Sequence, residues 1–257
     1  MMYLILLFWF FLMQNFQILD QEKVKFIKAR TVEDIKKFSF DSIPRYKYTS
    51  VPDLSNLDIR KKKEAFINLI LPSILIEKER IKFMREYVFE NKNGLPLNTK
   101  SKFIIDYCGC NEIDSLLMCL TDQPTSIILA QAAIESGWGT SRFFTQGNNL
   151  FGIHSYNFAD KRIRALNSEE AVFVKKYDSI SESIYDYLRN LAKSHAYKDF
   201  VENRFLKKEP TELIMYLEKY SIRRDKYTND LKKIMVANNF TSYDSLKLES
   251  HAQENIQ

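Results

Sequence analysis

The feature that most constrains the fold of this chain is a run of eight mostly apolar residues at positions 127–134. Nearly every face of a helix formed by this run would be apolar, so other elements must surround it. Gly137 supplies a stop signal after the run. Start signals precede or open it, at Asp122, Thr125 and Ser126. The pattern predicts a buried central helix.

Glu135 follows the apolar run directly and lies just before a Gly-Trp-Gly sequence. In the last turn of a buried helix, low dielectric and the partial negative charge of the helix C-terminus would both raise its pKa. A carboxylic acid that stays protonated near neutral pH is what the general acid of glycosidic cleavage requires. The alternative is a surface glutamate in a helix cap.

The glycine distribution and the residues after Glu135 indicate the fold class. Six Gly and six Pro in 257 residues are few, which favours helices. Four of the six glycines lie within residues 137–152, and such clusters often mark tight backbone paths at a ligand surface. Aromatic and β-branched residues are frequent over residues 140–178, which predicts short strands. We therefore expect a mainly α protein with a small β insertion after the Glu135 helix.

Two stretches of the sequence resemble a known signature. They are Ala-Gln-Ala-Ala-Ile-Glu-Ser-Gly-Trp-Gly at residues 130–139 and Gly-Asn-Asn-Leu-Phe-Gly at residues 147–152. Together they resemble bacterial peptidoglycan β-N-acetylglucosaminidases, glycoside hydrolase family 73, and within it the Bax-type group. The resemblance extends over about residues 62–240. It implies a lysozyme-like fold, mainly α, with a small β lobe after the catalytic helix.

The resemblance also implies roles for individual residues. Glu135 takes the position of the family's catalytic acid, and Tyr220 that of a tyrosine that lines the sugar site. The second carboxylate of the family lies in the β lobe, where Glu169 and Glu170 are the leading candidates and Asp160 a third. None of the three stands in an unmistakable motif. A 2-acetamido group of the substrate could act in place of this carboxylate.

Further candidate substrate-binding residues each have a structural alternative. Trp138 could stack on a sugar face or fill the core behind its loop. Asn148 and Asn149 could bind an acetamido group, or their own backbone as turn residues. Phe151 is a candidate for the substrate side, with a core position as its alternative. Tyr227 is expected to pack.

The leading functional hypothesis is an endo-β-N-acetylglucosaminidase that cleaves the β-1,4 bond after N-acetylglucosamine in peptidoglycan glycan strands. One alternative is lytic transglycosylase chemistry on the same fold, which needs a single acidic residue and leaves an anhydro end. Another is a catalytically weak peptidoglycan-binding protein. The hydrolase hypothesis implies no cofactor or metal, and a zinc site in particular is not expected because none of the three histidines has ligand spacing to the cysteines.

Charge and cysteine content give weaker indications. The formal net charge of +5 favours anionic polymers such as the peptide carboxylates of peptidoglycan. No basic run is interleaved with aromatics, so no nucleic-acid partner is expected. The three cysteines are an odd number. They read as buried thiols, with a bridge from Cys119 to either Cys108 or Cys110 as the alternative.

The chain divides into four predicted segments. Residues 1–19 read as an export signal or an uncleaved membrane anchor, because the first 13 residues are strongly apolar. Residues 20–60 read as a linker or wrapping segment, residues 61–241 as the glucosaminidase-like domain, and residues 242–257 as a frayed polar tail. The expected location is the periplasm or cell envelope, with anchoring in the inner membrane if the signal is not cleaved.

Overall fold

The computed structural model describes residues 24–165 and 172–249. Helices dominate these ranges: α1 Ile59–Glu90, α2 Thr99–Cys108, α3 Ile113–Cys119, α4 Thr125–Ser136, α5 Arg142–Gly147, α6 Ile180–Lys193, α7 Lys198–Phe205, α8 Pro210–Leu213 and α9 Asp225–Ala237. The strands are short and form two separate pairs: β1 Lys25–Lys28 with β2 Tyr46–Ser50, and β3 Arg162–Arg164 with β4 Phe173–Lys175. Short 3₁₀ turns lie between β1 and β2, between α6 and α7, between α8 and α9, and after α9, at Val32–Asp34, His195–Tyr197, Ile214–Tyr220 and Phe240–Tyr243.

Helix α4 is the buried central helix that the apolar run predicts. Its residues from Thr125 to Ala133 are all buried. Helices α1 and α9 pack against it, and so does the Phe240–Tyr243 turn. The helix ends at Gly137, which has a φ of 57° that a glycine adopts without steric cost.

The start of α4 is stabilised by a residue from far along the chain. Pro124 precedes the helix and has no side chain that could cap it. Asp244 accepts hydrogen bonds from the backbone N–H of Ser126 at 2.7 Å and from its hydroxyl at 2.8 Å. Asp122, one of the predicted start signals, instead pairs with Lys78 at 3.2 Å.

The small β lobe follows α4 and α5 directly. Strands β3 and β4 pair antiparallel, with Ile163 opposite Val174. The lobe meets the end of α5 closely, since a Cβ on Gly147 would lie 2.6 Å from the Ile163 Cδ1. The mainly α fold with a small β lobe after the Glu135 helix, expected from the sequence, is confirmed.

Residues 24–58 pack against the helical domain and do not form an unpacked linker. Strands β1 and β2 pair in parallel. Tyr48, Val51 and Leu54 are buried in the same core as Phe66 of α1. The core therefore continues across residue 61, the predicted start of the domain.

The described part of the predicted tail, residues 242–249, also packs against the domain. The prediction of a frayed tail is therefore wrong for these residues. Asp244 holds the start of α4. Leu248 packs on a small apolar cluster that contains Ile43, Leu71 and Leu75. Composition alone did not reveal this contact because its partners lie about 170 or more residues earlier in the chain.

Helices α2 and α3 form a hairpin that a disulfide closes. Cys108 and Cys119 are bonded, with Cα atoms 5.9 Å apart, and Cys110 is a free, part-buried thiol. The simpler prediction, that the cysteines are buried free thiols, is wrong for Cys108 and Cys119. The helical hairpin brings the two sulfurs into bonding range, as the alternative required.

The N-terminal segment 1–19, predicted to be a signal or anchor, lies outside the described residues. Within residues 24–165 and 172–249, no helix combines the length and apolarity needed to cross a membrane.

Candidate active site

Glu135 lies in the last turn of α4 and is part-buried, as the sequence predicts. Burial raises the pKa of this carboxyl above its usual range. A hydrogen bond from Tyr227 and the positive charge of Arg223 act in the opposite direction, but burial is the largest influence. The carboxyl group is therefore biased toward its protonated, proton-donating form.

A tyrosine cluster, formed by Tyr187, Tyr197, Tyr220 and Tyr227, lies around Glu135. The ring of Tyr220 stacks on that of Tyr227 at 5.7 Å, with an angle of 7° between the planes. It also meets the rings of Tyr187 at 6.3 Å and Tyr197 at 6.1 Å. Burial is the largest influence that raises the pKa of each phenol, and the negative charge of Glu135 also raises all four pKa values, so the phenols stay neutral.

Tyr227 does more than pack. It is buried and stacked, as expected, but its hydroxyl also hydrogen-bonds Glu135 and accepts a hydrogen bond from Gln131 Nε2 at 3.0 Å. Neither this contact nor the role of Gln131 was predicted from the sequence. One signal was present, since Gln131 precedes Glu135 by four residues and so lies on the same face of α4.

The Gly-Trp-Gly turn is held by Ser136, whose hydroxyl donates to the Ala132 carbonyl at 2.6 Å and accepts from the Gly139 N–H at 3.0 Å. The Trp138 ring packs on Phe66 at 5.7 Å and on Phe240 at 6.0 Å between centroids. The ammonium group of Lys63 lies 4.8 Å from the Trp138 ring centre. These contacts favour the alternative in which Trp138 fills the core behind its loop.

The two asparagines of the second signature stretch bind backbone. Asn148 has a φ of 53°, and its amide donates to the carbonyls of Thr49 at 3.1 Å and Tyr177 at 2.9 Å. The Asn149 amide donates to the carbonyls of Ile153 at 3.0 Å and Lys175 at 2.8 Å. These contacts favour the turn alternative over acetamido binding.

Phe151 occupies a core position, which was its alternative. It is 3% exposed and stacks on Tyr187, with ring centres 3.8 Å apart. It therefore supports the tyrosine cluster from behind. Tyr220 differs, because its side chain is only part-buried, and the charge of Glu135 is the largest influence on its pKa after burial.

Of the three predicted candidates for a second carboxylate, Asp160 lies within the described residues. Glu169 and Glu170 lie outside the described residues. Asp160 is half-buried and accepts a hydrogen bond from the Ser155 hydroxyl at 2.9 Å. A further carboxylate, not found from the sequence, is Asp186, which accepts from Lys175 Nζ and from the Tyr177 hydroxyl, both at 2.7 Å.

Within the part of the chain that the structure describes, no three or more His, Cys, Asp or Glu side chains are grouped so that they could hold a metal ion.

Comparison with known proteins identifies the domain. Residues 117–240 match the glucosaminidase family, whose description is mannosyl-glycoprotein endo-beta-N-acetylglucosaminidase. The matched range begins within α3, includes α4 and the β lobe, and ends after α9. The chain is also 27% identical over 202 residues to Protein bax of Escherichia coli strain K12. This alignment covers 71% of this chain and 72% of that protein.

Two solved structures are similar as well. The catalytic domain of the autolysin Auto from Listeria monocytogenes is 23% identical, and the match covers 63% of this chain and 88% of that one, with a TM-score of 0.39. A peptidoglycan hydrolase from Sphingomonas sp. A1 is 19% identical, with coverage of 59% and 99% and a TM-score of 0.41.

The family match defines the protein as a glycoside hydrolase. Residues 117–240 belong to the glucosaminidase family, and the similarity to Protein bax supports the Bax-type group within it. The family and the enzyme class predicted from the sequence are confirmed.

Proposed function

We propose that the protein cleaves the β-1,4 bond after N-acetylglucosamine in peptidoglycan glycan strands, with Glu135 as the general acid. The observation that carries the proposal is the part-buried carboxyl at the end of α4, whose pKa burial raises. The glucosaminidase match supports the bond. The signature at residues 130–139 and 147–152 supports the peptidoglycan substrate, and the net charge of +5 suits its peptide carboxylates.

In this mechanism Glu135 donates its proton to the glycosidic oxygen as the bond to the sugar breaks. Positive charge then develops on the ring, and water attacks the anomeric carbon, with or without help from the 2-acetamido group. The Glu135 carboxylate or a second carboxylate takes up the proton that this water releases. The carboxylate left on Glu135 is stabilised by the Tyr227 hydrogen bond and by the charge of Arg223. Tyr220 provides a neutral wall beside the scissile bond.

Transglycosylase chemistry is the second candidate, and one observation favours it. Asp160, the predicted second carboxylate that lies within the described residues, already accepts a hydrogen bond from Ser155. If no second carboxylate takes part, Glu135 alone can run the single-acid reaction. Glu169 and Glu170 remain proposed catalytic residues for the hydrolytic route.

We also propose that the protein works in the cell envelope. An exported enzyme reaches peptidoglycan, and the apolar segment 1–19 would direct export or tether the protein to the inner membrane.

Digestion of purified sacculi tests the proposed reaction. Mass spectrometry of the released fragments should find reducing N-acetylglucosamine ends. Anhydromuramyl ends would establish the transglycosylase route instead. Binding to sacculi without release of fragments would favour a peptidoglycan-binding protein.

A further inference from the structure

We propose that a one-way chain of buried hydrogen bonds, beginning at Arg204, forces the Tyr227 hydroxyl to donate to Glu135. The residues between them would then be positioning residues for the acid. The proposal rests on the proposed function, in which Glu135 donates a proton to the substrate.

The first half of the chain runs from α7 to α6. Arg204 Nη1 donates to Gln123 Oε1 at 2.9 Å. Gln123 Nε2 then donates to the Tyr187 hydroxyl oxygen at 2.9 Å. The other amino group of Arg204 donates to the Cys119 carbonyl at 2.8 Å, which fixes the guanidinium at the end of the disulfide-closed hairpin.

The second half runs from α6 through α4 to α9. The Tyr187 hydroxyl donates to Gln131 Oε1 at 2.6 Å. Gln131 Nε2 donates to the Tyr227 hydroxyl oxygen at 3.0 Å. Tyr227 completes the chain with its hydrogen bond to Glu135.

The direction of every link follows from the first one. A guanidinium has only donors, so Gln123 must present its carbonyl to Arg204 and its NH₂ to Tyr187. Tyr187 therefore accepts from Gln123 and has its single proton left for Gln131. The same reasoning turns the Gln131 NH₂ toward Tyr227, whose proton is left for Glu135.

Burial makes this orientation persistent. Gln123, Tyr187, Gln131 and Tyr227 are each at most 1% exposed, so water cannot replace a lost partner. Arg204 is 5% exposed, and burial lowers its pKa to about 10. Within residues 24–165 and 172–249, no carboxylate contacts its guanidinium directly. A buried charge without a direct counter-ion is costly, which fits a role in orienting the network.

The consequence for Glu135 concerns which of its oxygens carries the acidic proton. A donating Tyr227 needs a free lone pair, so it occupies the unprotonated oxygen and leaves the proton on the other one. The groups that face Glu135 are the phenols of the tyrosine cluster and Arg223, which precedes α9. Among these groups Tyr227 is the phenol that hydrogen-bonds Glu135, so its hydroxyl distinguishes the two oxygens.

Tyr187→Phe breaks the chain at its centre and keeps the stacking on Phe151. Gln131 would lose its donor and could rotate to offer its carbonyl to Tyr227, which would then donate away from Glu135. The matched control is Tyr48→Phe, because Tyr48 is also fully buried and its hydroxyl accepts one hydrogen bond, from the Lys36 N–H at 2.9 Å. That hydroxyl lies outside the hydrogen-bond chain.

The readout is the titration of Glu135 by ¹³C NMR in the full chain labelled at glutamate carboxyl carbons, with Glu135→Gln identifying the resonance. We expect Tyr187→Phe to raise the pKa of Glu135 relative to Tyr48→Phe. We also expect kcat on sacculi to fall about tenfold or more with little change in KM, the size of one hydrogen bond to a charged group.

A titration and a kcat equal to those of Tyr48→Phe would overturn the proposal. If Tyr187→Phe does not fold, Gln123→Met interrupts the chain one link earlier and is judged by the same two measurements. The proposed function fails separately, if a folded Glu135→Gln protein still cleaves sacculi. The NMR titration needs no turnover, so the two failures are distinguishable.

Discussion

The Asp244 carboxylate lies against the first turn of α4, where one oxygen accepts from the Ser126 N–H at 2.7 Å and the other from the Ser126 hydroxyl at 2.8 Å. It supplies the cap that Pro124 cannot. Because α4 carries Glu135 at its other end, a residue near the end of the described chain stabilises the helix of the candidate acid.

Replacement of Asp244 by Ala should therefore lower stability. We expect a loss of about 1–2 kcal/mol in the free energy of unfolding, the range for a lost helix cap. Denaturant unfolding of Asp244→Ala measures it, with Asp41→Ala as the control because Asp41 is exposed. Equal stability of the two variants would mean that the cap contributes nothing.

Glu135→Gln should fold and lose activity. The amide keeps the shape of the side chain but cannot donate an acidic proton, so turnover should fall by about a hundredfold or more. Fragment release from sacculi gives the rate, and Glu86→Gln, a change on the exposed side of α1, is the control. Near wild-type turnover in folded Glu135→Gln protein would rule out this residue as the acid.

The Glu135 carboxyl should also set the pH dependence of activity. Only its protonated form donates, so activity should be lost as pH rises through its raised pKa. Arg223 lowers that pKa, so Arg223→Gln should move the alkaline limb of the kcat/KM profile to higher pH. The shift should shrink as salt is added, because Arg223 is half-exposed. Lys233→Gln, at an exposed lysine of α9, should leave the limb in place.

Asn149→Ala should damage stability rather than substrate affinity. Its side chain makes three hydrogen bonds to backbone, two to Ile153 and one to Lys175, and is 1% exposed. We expect a loss of about 2–3 kcal/mol from the buried groups left without partners. Thermal unfolding and KM should be measured beside Asn111→Ala, an exposed loop change. A large rise in KM at unchanged stability would restore the acetamido-binding role.

The need for a second carboxylate can be tested by parallel substitution. Glu169→Ala, Glu170→Ala and Asp160→Ala should be assayed on the same sacculi. If one of them supports hydrolysis, its loss should cut turnover strongly while stability changes by less than about 0.5 kcal/mol. Retention of more than about half the rate by all three would leave Glu135 with the substrate acetamido group or the transglycosylase route.

Local sequence accounts for much of the architecture. The apolar run at 127–134 predicted a buried α4 because a helix without a polar face has to be covered. Gly137 predicted its end, since glycine adopts the left-handed backbone there at no steric cost. The position of Glu135 in the last turn follows from these two signals. The aromatic and β-branched stretch predicted the β lobe in the same way.

Only the tertiary structure decided what surrounds Glu135. Tyr227 and Gln131 are 96 residues apart, and Ser126 and Asp244 are 118 residues apart, yet each pair shares a hydrogen bond. Periodicity and turn signals act over a few residues, so they place a side chain on a face of its own helix. Which side chain on another helix meets that face depends on how the helices pack. The polar partners of the candidate acid were therefore fixed by packing across the core, while its place on the chain was readable from local pattern.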